Sequence, residues 1–277
     1  MSNTDCFQRN AQNVASHRCE VAEHRWVNAR YKYLRLSAPP DVAPRTVAGQ
    51  FFQLACPVSA TEAPFLRRPM SVYGIGPEAE RLEFLYHVKG TGTRALERAA
   101  AGESLTIIGP LGAGFTFSPQ WQRVLLVARG VGLATMAPLV PLAARAGVGI
   151  TAVLSARSPA DLMREEFLRG AKAEMHGVFD SDATSAVSSV EALMRTLLAK
   201  QHFDMVYTCG SNRLLELLQR LGVKGEVALE QQMACAMGVC LSCVRLFNEP
   251  GGQVFRRVCC EGPVFALGAV AGEVQFG

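Results

Sequence analysis

The chain has 277 residues, of which 49% are hydrophobic and 19% charged, with a formal net charge of +4. That composition excludes a disordered chain, and the charge is too mild to single out nucleic acid or an anionic membrane as a partner. The length allows two domains and a small third.

Residues 1–16 are expected to form a poorly ordered leader. They are polar and lack the apolar core of a secretory signal. Residues 19–36 alternate polar and apolar side chains, the period of half-buried strands. Further strands are predicted at 50–55, 70–75, 81–88 and 104–108, with a loop at 38–44 and a break at Gly76-Pro77. Residues 93–100 read as a short helix with Thr93 as its N-cap. Many short strands at regular spacing predict an antiparallel β-barrel over 17–118. The pattern changes near residue 119. Strands at 124–128, 149–154, 177–179 and 204–208 alternate with helices at 135–146, 161–168, 190–200 and 212–221. That order predicts a parallel-sheet α/β domain over 119–225. Residues 226–277 hold a cysteine-rich segment, so the expected class is α+β and multidomain.

The most apolar stretch, 130–144, contains Pro138 and Pro141 and is flanked by Arg129 and Arg145, so it is too short and too interrupted for a membrane span. A soluble, cytoplasmic protein is expected, with no membrane or nucleic-acid partner. Its nine cysteines suit a reducing compartment, free or metal-bound.

The densest chemistry lies in Cys235-Ala-Met-Gly-Val-Cys240-Leu-Ser-Cys243, answered by Cys259. The spacing C-x4-C-x2-C with a distant fourth cysteine is that of plant-type [2Fe–2S] ferredoxins. A tight loop of small residues can wrap such a cluster and point its N–H groups at the sulfurs. Zinc sites instead show paired short hooks or histidine ligands, and no histidine follows His202. Cys259 and Cys260 both stand where the fourth ligand is needed.

Four weaker signals accompany it. Arg68-Pro69-Met70-Ser71 opens a strand and has the parts of a flavin clamp: a guanidinium for a pyrophosphate, a fixed φ, and a hydroxyl for the isoalloxazine ring. The same residues are also read as an exposed basic strand end. Gly90-Thr-Gly92-Thr93 precedes a helix, as phosphate-binding turns do and as plain capped turns do. Gly130-Val-Gly132 follows an apolar strand and precedes a helix, a partial dinucleotide loop. Cys209-Gly210 ends another strand, and Arg157-Ser158 a third. In a doubly wound sheet these strand ends share one crevice. The five histidines form no metal spacing, and no catalytic triad or carboxylate pair stands out.

The order of these features resembles the electron-transfer subunit of dihydroorotate dehydrogenase, within the ferredoxin–NAD(P) reductase superfamily. The resemblance covers about residues 17–265. Its most specific parts are Gly109-Pro-Leu-Gly-Ala-Gly-Phe115, the 233–243 cysteine run, and Val258-Cys259-Cys-Glu-Gly-Pro-Val-Phe265. The last is similar to the family's V-C-x-D-G-P-V-F, which makes Cys259 the fourth ligand beside Cys235, Cys240 and Cys243. The resemblance implies FAD contacts from Arg68, Pro69, Met70, Ser71, Leu85, Tyr86, His87, Gly92 and Thr93. It implies nicotinamide contacts, for NAD(H), from Gly130, Gly132, Cys209 and Gly210. It also implies a hetero-oligomer with a catalytic flavoprotein dehydrogenase subunit and a place in pyrimidine biosynthesis. A reductase component feeding a different oxidoreductase or oxygenase is the alternative within this chemistry, and a non-catalytic iron-sulfur redox sensor the alternative outside it. Two stretches depart from the family. Arg129 stands where its loop carries glycine, and residues 180–185 match its D-D-G-S-x-G poorly. Arg157 and Ser158 suit a 2′-phosphate as well as a ribose, so NADPH competes with NADH.

Overall fold

The computed structural model describes residues 14–59, 63–76, 80–162 and 165–271. Contacts divide the chain into two compact units. One runs to Gly114 and takes in Gln231–Arg245 and Phe255–Pro263. The other holds Phe115–Glu230, Leu246–Val254 and the residues from Val264.

In the first unit six strands close into an antiparallel barrel: β1 (Ala15–Trp26), β2 (Tyr31–Ser37), β3 (Phe51–Leu54), β4 (Arg68–Ile75), β5 (Arg81–His87) and β6 (Ser104–Leu111), in the order β1-β2-β5-β4-β3-β6. Alternation decides what goes inside. Leu34 and Leu36 of β2, Phe52 and Leu54 of β3, Leu82 and Phe84 of β5, and Ile107 of β6 form the core. Phe52 and Phe84 meet edge to face, ring centroids 6.0 Å apart. Tyr31 and Tyr33 pair with His87 and Leu85 on the outward face. Helix α1 (Thr91–Glu97) contributes Leu96 to the core.

Two details differ from the sequence reading here. Ala15 and Ser16 belong to β1, paired with Gly109 and Ile108, rather than to a leader; the rest of the expected leader, 1–13, lies outside the described residues. Thr93 is not the N-cap of α1. Gly90 is, and Thr93 sits three residues inside, its hydroxyl accepting the Gly90 N–H at 3.0 Å. A threonine hydroxyl at that position reaches back as the glutamate of a capping box does.

The second unit contains a six-stranded sheet in the order β14-β11-β10-β7-β8-β9. Its strands are β7 (Arg123–Arg129), β8 (Gly149–Ala156), β9 (Glu174–Phe179), β10 (Met205–Cys209), β11 (Gly225–Ala228) and β14 (Val264–Ala266). All neighbours run parallel except β14, which is antiparallel to β11. Val124 to Ala128 are each no more than 2% exposed. Helices cover both faces of such a sheet, so its central strand is apolar throughout.

The helix expected over 135–146 is two: α2 (Gly132–Met136) and α3 (Leu139–Ala146), which ends on Gly147 at φ 71°. Pro138 has no N–H for the carbonyl four residues back, and the helix breaks there. The helix expected over 161–168 begins later, as α4 (Glu165–Gly170), after a 3₁₀ turn at Pro159–Asp161. Helices α5 (Val187–Lys200) and α6 (Asn212–Arg220) fall where periodicity put them, α6 capped by Ser211. Strand β11 extends this sheet into residues read as part of the cysteine segment. That segment adds a hairpin, β12 (Val244–Glu249) and β13 (Gly252–Arg257), and one helical turn, α7 (Val258–Glu261). Among the described residues no helix is long and apolar enough to cross a membrane.

Candidate functional site

The cysteine loop is wound by backbone in unusual conformations. Ala236 (φ 56°), Gly238 (φ 79°) and Leu241 (φ 60°) all lie in the left-handed region. For Ala236 and Leu241 this costs on the order of 1–2 kcal/mol each. The effect is to turn N–H groups inward. Those of Met237, Val239 and Cys240 approach Cys235 Sγ at 3.4, 3.4 and 3.5 Å. The Cys259 N–H approaches Cys243 Sγ at 3.5 Å.

The four sulfurs fall into two pairs. Cys240 lies against Cys235 and Ser242, whose hydroxyl is 3.2 Å from Cys240 Sγ. That hydroxyl is the largest cause lowering the Cys240 thiol to about 6. Cys243 and Cys259, 2% and 0% exposed, are hydrogen-bonded to each other. Hydrogen bonding to Cys259 lowers Cys243 to about 7, while the same bond and burial push Cys259 up. Among the described residues no three His, Cys, Asp or Glu side chains converge as one metal ion requires. Two pairs of thiols with amide donors on the sulfurs suit a two-iron cluster better than a single zinc, which needs four ligands converging on one point. Cys260 is buried and disulfide-bonded, contrary to the expectation that all nine cysteines are free or metal-bound, and Cys259 is the one hydrogen-bonded to Cys243.

In the barrel unit, Arg68 and Gly92 meet. A Cβ at Gly92 would lie 2.0 Å from Arg68 Nε, so only glycine lets the guanidinium lie over the start of α1. The guanidinium is otherwise held by the carbonyls of Leu66 (2.5 Å) and Arg67 (3.2 Å). This cradle has the cation and open backbone that a pyrophosphate requires. Pro69 and Ser71 follow on β4, half-buried and opposite Gln53 and Phe51, and Met70 packs toward the core. Leu85 and His87 share the outward face of β5, with the His87 ring 5.2 Å from that of Tyr31. Tyr86 does not share it. Its side chain points into the barrel, 2% exposed, and its hydroxyl lies 2.8 Å from His24 Nε2. Any cofactor contact from Tyr86 is left to its backbone.

In the other unit, the glycine loops after β7 and β10 abut. A Cβ at Gly132 would stand 2.4 Å from the Cys209 carbonyl oxygen, and one at Gly210 would stand 2.3 Å from that of Arg129. Gly130 (φ 53°) donates to Ser155 O at 2.9 Å, which ties in the end of β8. The three strand ends thus converge. Beside them is a cavity of about 500 Å³ lined by Arg129, Ser155, Asp180, Gly210, Ser211 and Arg213, among others. The Cys209 thiol is turned inward toward Thr135 (3.6 Å) and Glu230 (3.8 Å), and burial, then Glu230, pushes it up. Ser158 is bonded to Asp161 at 2.9 Å.

The sequence reading missed a pairing here. Arg129, which departs from the family's glycine, and Asp180, the first residue of the poorly matched stretch 180–185, are partners. Arg129 Nη1 donates to Ser155 Oγ (2.8 Å) and Asp180 Oδ1 (3.2 Å), and Nη2 donates to Asp180 Oδ2 (2.8 Å). The hydrogen bonds from Arg129 and Ser185 hold the Asp180 carboxyl down to about 2. The signal available was chemical: an unexpected cation at the end of one strand and an acid at the end of another, both predicted to lie in one sheet.

Known proteins resemble this chain over most of its length. The family described as the iron-sulfur cluster binding domain of dihydroorotate dehydrogenase B matches residues 230–271. The chain is 32% identical over 245 residues to the electron transfer subunit of dihydroorotate dehydrogenase B (NAD(+)) from Desulforamulus reducens, covering 87% of this chain and 92% of that one. It is 30% identical to the subunit of the same name from Bacillus caldolyticus, covering 93% and 99%. A chain in the structure of the NADH-dependent reduced ferredoxin–NADP oxidoreductase superposes with a TM-score of 0.75 at 25% identity, covering 91% and 89%. Ferredoxin–NADP+ reductase of Plasmodium falciparum, at 12% identity and a TM-score of 0.59, shares the fold over 73% of this chain and 89% of its own.

Proposed function

The chain belongs to the family of electron-transfer subunits of dihydroorotate dehydrogenase B, and from that premise we propose that it carries electrons between NAD(H), FAD and a [2Fe–2S] cluster to or from a catalytic dehydrogenase subunit in the cytoplasm. The observation that carries this reading is the cysteine loop: two pairs of thiols with three amide N–H groups aimed at Cys235 Sγ. When bound, the flavin supplies two-electron chemistry and the cluster one-electron chemistry.

The chain's own residues bind and orient. Cys235, Cys240, Cys243 and Cys259 hold the cluster. Arg68 and the open backbone at Gly92 take the FAD pyrophosphate, and Pro69, Ser71, Leu85 and His87 line the ring's side of the barrel. The Gly130-Val-Gly132 loop and Gly210 give the nucleotide side-chain-free backbone to lie against, with Arg129 as the cation beside it. Cys209 supports that wall from within. No acid–base group is needed for substrate chemistry, because the substrate belongs to the partner subunit. The flavin role falls on the barrel, which begins at Ala15, and the nucleotide role on the parallel sheet, while the 226–277 segment read as a cluster domain is divided, with Gln231–Arg245 and Phe255–Pro263 in the barrel's unit and β11 and β14 in the sheet.

The alternative, a reductase component serving a different oxidoreductase or oxygenase, draws on Arg129, which stands where the family's loop carries glycine and is paired here with Asp180. One experiment tests both. The anaerobically purified protein is scanned before and after NADH, then with the catalytic subunit and dihydroorotate. Flavin and cluster bands that bleach with NADH, and with dihydroorotate only when the catalytic subunit is present, support the proposal. Bleaching by NADH with no response to that pair favours the alternative. Absence of flavin bands overturns both.

A further inference from the structure

The peptide joining Gly238 to Val239 is engaged at both ends. Its N–H, on Val239, donates to Cys235 Sγ at 3.4 Å. Its carbonyl, on Gly238, accepts from Arg257 Nη1 at 3.5 Å. Arg257 is 8% exposed, deep burial for a guanidinium. Its Nη2 donates to Glu261 Oε1 at 3.1 Å, and its backbone N–H donates to Oε2 of the same carboxylate at 2.6 Å. Arg256 reaches Glu261 Oε1 at 3.7 Å. A carboxylate at the end of α7 therefore fixes a guanidinium, the guanidinium fixes a peptide plane, and the plane aims an N–H at a ligand sulfur.

Burying a cation is costly unless it is paired; Glu261 pairs Arg257 on one side, and Nη1 is left to face the loop carbonyl of Gly238. A carbonyl needing a donor would be satisfied by a neutral amide. A cluster held by four thiolates is anionic and becomes more so when it takes up an electron. Hydrogen bonds to its sulfurs and a cation nearby both favour the reduced form and raise its potential. Both influences pass through Arg257.

We propose that Arg257 is a positioning residue that raises the midpoint potential of the cluster, by holding the Gly238–Val239 peptide toward Cys235 Sγ and by placing a buried positive charge beside the loop, with Glu261 as the counter-charge that limits the rise. This rests on the cluster reading given above. It assigns the second halves of two motifs a role: Gly238 lies between the ligands Cys235 and Cys240, and Arg257 and Glu261 flank the ligand Cys259.

The test uses the full-length protein, anaerobically purified and titrated with dithionite through redox mediators, with the reduced cluster read by electron paramagnetic resonance. In Arg257→Met the ratio of reduced to oxidised cluster at a fixed poise should fall about tenfold, ~59 mV for a one-electron couple. In Glu261→Gln the ratio should rise. FAD content, read from flavin absorption, should be unchanged in both. A fully loaded Arg257→Met protein with the wild-type potential would overturn the proposal, and so would a Glu261→Gln shift in the same direction as that of Arg257→Met. Should Arg257→Met fail to fold or load, Glu261→Gln decides alone: a rise supports the proposal, and no change or a fall overturns it. Wild-type protein with no cluster signal would remove the underlying cluster reading instead, a failure visible before any variant is made.

Discussion

The two units treat their key arginines in opposite ways. Arg68, in the barrel unit, ends on two backbone carbonyls. Arg129, in the parallel-sheet unit, ends on the carboxylate of Asp180. Carbonyls orient a guanidinium without cancelling its charge, whereas a carboxylate does both. The first arrangement keeps the full attraction for an anion that is to stay. The second meets an arriving anion with a cation already shared, so the guest gains less and leaves more readily. The proposed roles, a resident FAD at Arg68 and an exchanging nucleotide at Arg129, call for that difference.

The largest expected effect lies at neither arginine. Cys240→Ser should remove the cluster's absorption and paramagnetic signal while FAD stays bound, since Cys240 is one of the four proposed ligands and touches neither cation. A full cluster signal in that variant would refute the ligand assignment. Next, Arg68→Ala should weaken FAD binding roughly 10- to 100-fold, the loss of charge-assisted hydrogen bonds worth about 1.5–3 kcal/mol; flavin retained through dialysis as in wild type would break the comparison on its first side. Arg129→Ala should raise the KM for NADH about tenfold, ~1.4 kcal/mol. Asp180→Asn should have the opposite sign. Freed of its counter-ion, Arg129 would come to resemble Arg68, and NADH should bind about 2- to 5-fold more tightly, in keeping with the ~1 kcal/mol ceiling of an exposed pair. An unchanged or weaker affinity would show that the carboxylate aims Arg129 rather than restrains it.

Smallest are the effects of pH. Asp180 is depressed from 3.8 to about 2. Its contribution is complete above the ordinary carboxylate range and is lost as pH falls from about 4 toward 2, so the pair is constant at any working pH. His24, between the Ala99 carbonyl and the Tyr86 hydroxyl, is lowered from 6.5, chiefly by burial. The unfolded chain then takes up a proton that the folded one refuses, and stability should decline as pH drops below 6.5. Thermal melts of wild type and His24→Gln between pH 7 and 5 would show it, the variant being flatter.

Most of the fold was legible because alternation and apolar runs are local patterns. Residues 31–37 show their inward and outward faces in the sequence alone, and residues 124–128 show burial on both sides. The same rule, applied more strictly, would have turned Tyr86 away from Leu85 and His87, since neighbours on a strand point opposite ways. Pro138 was a visible break that helix periodicity overrode. Strand β11 escaped because its four residues carry no period of their own and exist through pairing with β10. The cysteine spacing behind the ligand proposal was legible, because two irons demand a loop of fixed reach. The long-range pairings were not. Arg129 with Asp180 and Arg257 with Gly238 join residues far apart in the chain, and nothing short of the folded backbone brings them together.

The cysteine loop also has a bearing on the molecule's stability. Ala236 and Leu241 occupy a backbone region that non-glycine residues avoid, and Met237, Val239 and Leu241 are 45%, 70% and 56% exposed. The strain at those two residues, on the order of 1–2 kcal/mol each, is a cost the loop carries by itself, and a cluster held by its four sulfurs, as proposed above, would offset it.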